Sequence, residues 1–465
     1  MILTAPRLVI AGLSGDGGKT LVAVGLARAL RRRGVNVAPY KKGPDYIDAA
    51  WLGAAAGRPG RNLDTYLMTT AAIGAALGRA GDGLVLVEGN RGLHDGVDAL
   101  GTHSTAALAA RIAAPAVLVA DTTKTTRTLA ACVHGCAVVD PDLSLAGVIL
   151  NRVATARQER VVREAFDALG GPPVLGAIPR LADDLLPSRH LGLVTAAEHP
   201  DREAAIARAA DVVAAHVDLD ALLAVARSAR PAAFPDLEPG PAPADGVRIG
   251  VLRDEAFSFY YPENLEALAA AGAELVDVSP LRAPALPPLD ALYIGGGFPE
   301  VHARRLAANA GFLDSLRRAA ADGLPVYAEC GGLMFLARSL RTGEGTFPMA
   351  GVIGADVEQT ASVQGHGYAE GVVEAPNPFF PVGTRLLGHE FHYSRLLDAA
   401  GATTVVRLER GTGVRGRRDA IVAGNVWASY VHLHALGTPE WATGMVAAAR
   451  RRRDRSAAPQ APATR

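Results

Sequence analysis

Six short runs in the first 230 residues are apolar along nearly their whole length: RLVIAGL, VNVAPYK, GLVLVEG, APAVLVAD, LAGVILNRV and PPVLGAIP. A strand with one wet face alternates polar and apolar residues, so strands without that alternation must be covered on both faces. Between them lie Ala/Leu/Arg stretches such as TLVAVGLARALRRRG, which read as helices closed by glycine. Strands and helices taking turns predict an α/β domain over residues 1–230, doubly wound around a parallel sheet. Residues 231–246 are rich in Pro and Ala, have no periodicity and read as a linker. The β/α rhythm resumes over 247–450 with VRIGVLRD, ALYIGGG and LPVYAEC, then becomes richer in strands. Residues 451–465, RRRDRSAAPQAPATR, read as a disordered tail.

Charge narrows the partners. Lys and Arg total 47, Asp and Glu 47, so the formal net charge is +0 over 465 residues. The overall field of such a chain attracts neither nucleic acid nor an anionic bilayer, so small molecules, with no nucleic acid and no membrane, are the expected partners. The start MILTAPRLVIAGLSG lacks the pattern of a secretory signal, and no apolar run approaches the roughly 18 residues of a membrane span. Three cysteines are too few to staple a chain of this length, which fits a reducing, cytoplasmic setting; a homodimer is allowed. Cys132 and Cys136, with His134 between them on a helical stretch, supply too few ligands for a metal site and are expected to pack in the core.

The first strand runs into Gly12, Leu13, Ser14, Gly15, Asp16, Gly17, Gly18, Lys19 and Thr20 and then a helix. Glycines there let successive backbone N–H groups face phosphate oxygens. The helix N-terminus adds positive potential, Lys19 neutralises the β- and γ-phosphates, and Thr20 can ligate Mg²⁺. The usual loop has Gly six positions before the Lys, where Leu13 sits, so this is a variant P-loop. Two acidic clusters follow other strands: Lys41 to Asp48 in KKGPDYID, and Glu88 to Gly96 in EGNRGLHDG. In a parallel sheet these strand ends gather on the edge that carries the P-loop. Lys41 can then face phosphate or a substrate carboxylate. Thr20, Asp45 and Glu88 are candidates for holding the metal, and Asp45, Asp48 and Asp95 for substrate activation.

A second chemistry lies after the linker. Strand LPVYA ends in Glu329, Cys330, Gly331 and Gly332 and passes into a helical run. A Cys on a tight strand-to-helix turn reads as a nucleophile whose pKa the helix dipole lowers. In YVHLH, alternation puts His432 and His434 on one side; His432 is the candidate base, and His434 either orients it or packs. Backbone N–H groups from Gly295, Gly296, Gly297 and Gly331 are candidates for an oxyanion pocket.

These pieces, together with GRPGRNLD (57–64), PSRHLGLV (187–194), FYYPENLE (259–266), GGGFPE (295–300), AECGGLMFL (328–336), GHEFHYS (388–394) and NVWASYVHLH (425–434), resemble the cobyrinic acid a,c-diamide synthase family. Members are glutamine-dependent amidotransferases acting on corrin-ring carboxylates, and the resemblance spans nearly the whole chain. It implies an N-terminal synthetase domain of the dethiobiotin-synthetase type and a C-terminal class I glutaminase domain. It also implies ATP and Mg²⁺ at Lys19 and Thr20, metal or substrate activation by Asp45, Glu88 and Asp95, Cys330 as nucleophile and His432 as base. Ordinary class I glutaminases carry Glu two residues after that His; here the position is His434, and orientation of His432 is left to His434, another carboxylate or none.

The implied reaction uses glutamine, ATP and a tetrapyrrole polycarboxylate: a carboxylate is activated as an acyl phosphate and attacked by ammonia released at Cys330 and passed between the domains. Cobyrinate or hydrogenobyrinate stands first as substrate, with sirohaem or nickel sirohydrochlorin as alternatives. A reading of another class is a P-loop regulatory ATPase with an inactive glutaminase-like module.

Overall fold

The computed structural model describes residues 1–182, 185–186, 188–189, 192–238, 246–397 and 402–457. Contacts divide the chain into two units, Met1–Glu238 and Pro239–Arg465.

The first unit is built on seven strands: β1 (Arg7–Gly12), β2 (Val37–Lys42), β3 (Arg61–Leu63), β4 (Leu84–Glu88), β5 (Ala116–Asp121), β6 (Leu145–Val153) and β7 (Val174–Pro179). They lie in the order β3-β2-β4-β1-β5-β6-β7, and every pairing is parallel. All six apolar runs of the sequence are strands here. β1, β2 and β4 are buried at every residue, as helices on both faces require. Helix α1 (Lys19–Arg32) follows β1 across the loop of residues 13–18, and α2 (Tyr46–Ala56) follows β2. α2 starts where it does because the Asp45 carboxylate accepts N–H bonds from Ile47 (2.8 Å) and Asp48 (3.0 Å), and it stops at Gly57, whose φ is 73°.

The unit extends further than the sequence reading placed it. Ala232–Ala233 pair with Ile2–Leu3, and the fully buried Arg7 guanidinium donates to the carbonyls of Ala5, Ile112 and Arg230. Residues 231–234 therefore belong to the first unit rather than to a linker, because strand pairing and a buried cation both anchor them. Of the expected linker, 239–245 lie outside the described residues.

The second unit has β8 (Val247–Leu252), α3 (Pro262–Ala270), β9 (Ala273–Val278), β10 (Ala291–Ile294), β11 (Val326–Glu329), α4 (Gly331–Leu336), β12 (Gly365–Val373), β13 (Arg385–His392), β14 (Thr404–Arg410), β15 (Arg418–Ala423), β16 (Val426–Ser429), β17 (His432–Leu433) and α5 (Glu440–Ala457). The main sheet runs β9-β8-β10-β11-β16-β15-β14-β12-β13-β17, parallel up to β16 and antiparallel beyond. β16 and β17 are two residues apart in the chain yet separated by four strands in this order, so the antiparallel half curls back on itself. That curl brings β13 against the segment that follows β16. One face of the sheet presents Tyr293, Tyr327 and Trp427 to Trp441 and Met445 of α5. Removing a buried ring such as Trp441 from such a core costs about 3–5 kcal/mol.

α5 continues as helix to Ala457, through residues 451–457 where the sequence suggests a tail; its Arg451 and Arg453 donate to the carbonyls of Pro378 and Gly246. Residues 458–465 lie outside the described residues, as do 187, 190 and 191 of PSRHLGLV. Cys132 is exposed and Cys136 half-buried, so the expectation of core packing fails for Cys132: the helix Arg127–Val139 buries Leu129, Ala130 and Val133, not the cysteine face. Among the described residues no helix is long and apolar enough to cross a membrane.

Candidate functional site

In the first unit, β1, β2 and β4 deliver their last residues to one edge, as the parallel order requires. Gly18 adopts φ 91°, a left-handed conformation, and a side chain there would collide with Asn151 Nδ2. Asn151, at the end of β6, donates to the Gly17 carbonyl (2.9 Å) and props the loop from beneath. Ser14, Gly15 and Asp16 are exposed while Lys19 is buried, its stem crossing Gly12 and its ammonium donating to the Ser14 carbonyl (2.7 Å). Burial, then the charge of Lys41, lowers the Lys19 pKa.

Thr20 Oγ1 donates to Glu88 Oε1 (2.6 Å), and Lys41 Nζ donates to the same oxygen (2.9 Å), to Asp48 Oδ2 (2.6 Å) and to the Gly89 carbonyl (3.2 Å). All three Lys41 donors are thus committed inside the protein, so Lys41 acts as an internal counter-ion and is not free to face phosphate. Burial opposes its charge, but Asp48 and Glu88 outweigh that and raise its pKa. Glu88 is pushed up by burial against the pull of Lys41, and Asp45 rises to about 7, chiefly through burial and then the charge of Asp48. Asp95 is elsewhere: it is exposed, and its carboxylate accepts the Gly92 N–H (2.8 Å) to fold the loop after β4. That loop docks on the P-loop through the Leu93 N–H to Gly12 carbonyl bond (2.7 Å).

The metal implied by the P-loop can be tested against these side chains. Glu88 Oε2 is buried without a hydrogen-bond partner among the described residues, beside the Thr20 hydroxyl. A hydroxyl and a spare carboxylate oxygen are hard donors that match Mg²⁺, so the residues fit.

In the second unit, Cys330 follows β11 at φ 49° and ψ −99°, a strained conformation for a residue with a side chain, and caps the short helix α4. Its N–H donates to the Ser429 carbonyl at the end of β16 (2.7 Å), which ties the turn to the segment carrying His432. Cys330 is 7% exposed. Burial, then the charge of Glu300, pushes its pKa up, so the six-residue helix does not give the lowered thiol pKa that the turn suggests. A side chain on Gly331 would come within 3.0 Å of the Gly297 backbone N, so those two backbones adjoin at the turn. The Gly295 N–H is spent on Tyr260 Oη (2.8 Å), and the Gly296 carbonyl accepts from Phe259 (3.1 Å).

His432 pairs in register with His389 of β13, and the two rings stack at 4.9 Å and 18°. A side chain on Gly296 would come within 2.6 Å of His432 Cε1. His432 Nδ1 lies 3.6 Å from Glu329 Oε2. His434 turns away: Leu436 donates to its Nδ1 (3.1 Å), its Nε2 lies 3.7 Å from Glu263 Oε2, and its ring packs on Tyr261. Two buried residues hold the Ser429–Ala435 segment that carries both histidines. Asn264 donates to the Leu433 carbonyl (2.9 Å) and accepts from the Ala435 N–H (2.7 Å), and Asp419 accepts from Ser429 Oγ and the N–H groups of Tyr430 (3.1 Å) and Val431 (3.2 Å). Sequence reasoning did not single out Glu329, Asn151, Asn264, Asp419 or His389; the signal for Glu329 was a charge closing an otherwise apolar strand.

Comparison with known proteins agrees with both units. Residues 8–194 match the family described as the CobQ/CobB/MinD/ParA nucleotide binding domain, and residues 248–440 match the CobB/CobQ-like glutamine amidotransferase domain. The chain is 42% identical over 446 residues to the cobyrinate a,c-diamide synthase of Magnetococcus marinus, covering 94% of this chain and 96% of that one. It is 43% identical over 436 residues to the cobyrinate a,c-diamide synthase of Archaeoglobus fulgidus, covering 93% and 94%. The hydrogenobyrinate a,c-diamide synthase of Streptomyces coelicolor is 41% identical over 475 residues, with 93% and 95% covered. The chain belongs to the cobyrinate a,c-diamide synthase family, glutamine-dependent amidating ligases with an N-terminal nucleotide-binding domain and a C-terminal glutamine amidotransferase domain.

Proposed function

We propose that the protein amidates the a- and c-acetate carboxylates of cobyrinate or hydrogenobyrinate, using ATP to form acyl phosphates and glutamine as the source of ammonia. The observation that carries this reading is the presence in one chain of a P-loop threonine bonded to a buried glutamate and a cysteine on a strained strand-to-helix turn. The names of relatives about 40% identical over most of the chain favour these corrinoid acids over sirohaem or nickel sirohydrochlorin.

A carboxylate is a poor electrophile because oxide would have to leave, so phosphorylation must come first. Lys19 and the N–H groups of Ser14 to Gly18 bind the phosphates, with Thr20, Glu88 and Asp45 as the side chains that hold Mg²⁺. Mg²⁺ bound there would neutralise charge developing on the transferred phosphoryl group. Lys41 holds Glu88 and Asp48 in place, and Asp48 with Asp45 faces the carboxylate to be activated. Asp95 shapes the loop beside the P-loop instead of touching the reacting atoms.

At the other site His432 takes the Cys330 proton and the sulfur attacks the glutamine amide carbon. The N–H groups of Gly297 and Gly331 receive the oxyanion, the proton passes from His432 to the leaving nitrogen, and ammonia departs. Water, deprotonated by His432, then hydrolyses the thioester to glutamate. Ammonia attacks the acyl phosphate and releases phosphate, so each amide consumes one glutamine and one ATP. The test is a pair of variants. Cys330→Ala abolishes glutamine-dependent amidation and retains amidation with ammonium salts, whereas Lys19→Ala keeps glutamine hydrolysis and makes no amide. Loss of both activities in Cys330→Ala, with the fold intact, would overturn the division of labour.

A further inference from the structure

Glu329 sits in the residue before the nucleophile, fully buried at the end of β11. Its Oε1 accepts the N–H of Leu433 (3.0 Å), the residue after the candidate base, and its Oε2 accepts from Tyr293 Oη (3.1 Å) while lying 3.6 Å from His432 Nδ1. Among the described residues no Lys or Arg lies within ion-pair distance of this carboxylate; the nearby basic group is the His432 imidazole. Burying a carboxylate without a fixed counter-charge is costly unless a charge appears beside it. Such a charge appears when His432 takes the Cys330 proton. The position two residues after His432, where another glutaminase would carry its carboxylate, holds His434, which is occupied with Glu263 and the Leu436 N–H.

We infer that Glu329 is the positioning residue for His432, fixing its tautomer with Nδ1–H toward the carboxylate and Nε2 toward the thiol, and stabilising the imidazolium formed during glutamine hydrolysis. The triad is then Cys330, His432 and Glu329, with its acid supplied by the residue preceding the nucleophile. The Leu433 bond matters to this geometry: one carboxylate oxygen holds the backbone that carries His432 while the other meets its ring. The separation of 3.6 Å in the resting protein is longer than a hydrogen bond, and catalytic contacts of this kind tighten when charge develops. His389 also lies against His432, stacked on it and kept neutral by burial and by the neighbouring His432; His434 and Glu263 face each other one step further along.

This inference rests on the assignment of Cys330 and His432 as glutaminase residues, and the experiment separates the two. Glutamine hydrolysis by Glu329→Gln, Glu329→Asp, Cys330→Ala and the parent protein is measured across pH, with thermal melting as the control for folding. Glu329→Gln lowers the plateau of kcat by on the order of 10²- to 10⁴-fold. It also moves the acid limb of kcat/KM down by about one pH unit, because the imidazolium loses its negative neighbour. Glu329→Asp keeps the charge and holds the acid limb at its parental pH even where the plateau or the melting temperature falls. A Glu329→Gln plateau within threefold of the parent, an unmoved acid limb, or the same displacement in Glu329→Asp overturns the inference. Glutamine hydrolysis surviving in Cys330→Ala would instead overturn the assignment beneath it.

Discussion

The contact between Gly296 and His432 sets a sharp test of the glutaminase geometry. A methyl group added at Gly296 would lie 2.6 Å from His432 Cε1 and 3.2 Å from Phe259 Cδ2, where ordinary contact begins at 3.4 Å. The imidazole must therefore yield by roughly 0.8 Å, the difference between those distances. It has little freedom to do so, because His389 is stacked on it at 4.9 Å and its β17 segment is held by Asn264 and Glu329. Displacing a catalytic group by about 1 Å costs on the order of 10²-fold in rate. Gly296→Ala is thus expected to lower kcat for glutamate release by about 10²-fold. Ammonium-driven amide formation, which does not use His432, stays near the parental rate. The assay runs the two reactions in parallel on one preparation, with thermal melting as the folding control. Glutamate release within threefold of the parent would refute the reasoning, because His432 would then tolerate a displacement that the account forbids. An equal loss in both reactions would refute it too, by removing the independence of the sites.

Three further outcomes are expected. Gly18→Ala forces a side chain into φ 91° and against Asn151, so ATP binding weakens by about tenfold or more while glutamine hydrolysis persists, measurable by calorimetry. Cys330 is buried and its thiol pKa raised, so at pH 8 iodoacetamide labels it at least tenfold more slowly than the exposed Cys132, read by peptide mass mapping. His389 is held well below its ordinary pKa by burial and then by His432, so below about pH 6.5 the unfolded chain binds the extra proton first. Stability then falls as pH drops, by about 1.4 kcal/mol per pH unit, until folded His389 titrates; His389→Asn flattens that part of the melting profile.

Six of the seven strands of this sheet were legible because a strand covered on both faces leaves an unbroken apolar run; β3, whose Arg61–Leu63 has no such run, was not read as a strand. The P-loop and Cys330 were legible because each needs particular small residues next to a functional one within a few positions. What could not be read was set by pairings distant in sequence. Lys41 looks like a phosphate ligand until Asp48 and Glu88, brought beside it by α2 and β4, accept its hydrogen bonds. Strand alternation alone put His432 and His434 on the same side, but the curl of the antiparallel strands and the hold of Asn264 give them different partners, Glu329 and Glu263. Ala232 and Ala233 looked like linker because two residues are too short to show a strand period, and only their pairing with Ile2–Leu3 reveals them.

The most direct test of the central claim is to supply the purified protein with ATP–Mg²⁺, glutamine labelled at its amide nitrogen, and either cobyrinate or hydrogenobyrinate, and to follow the ring by mass spectrometry. The account predicts a product carrying two labelled amides, with one glutamate and one ADP released per amide and no product when Cys330→Ala is given glutamine alone. Unlabelled or absent amides, with glutamine hydrolysed and ATP consumed in the same mixture, would contradict it.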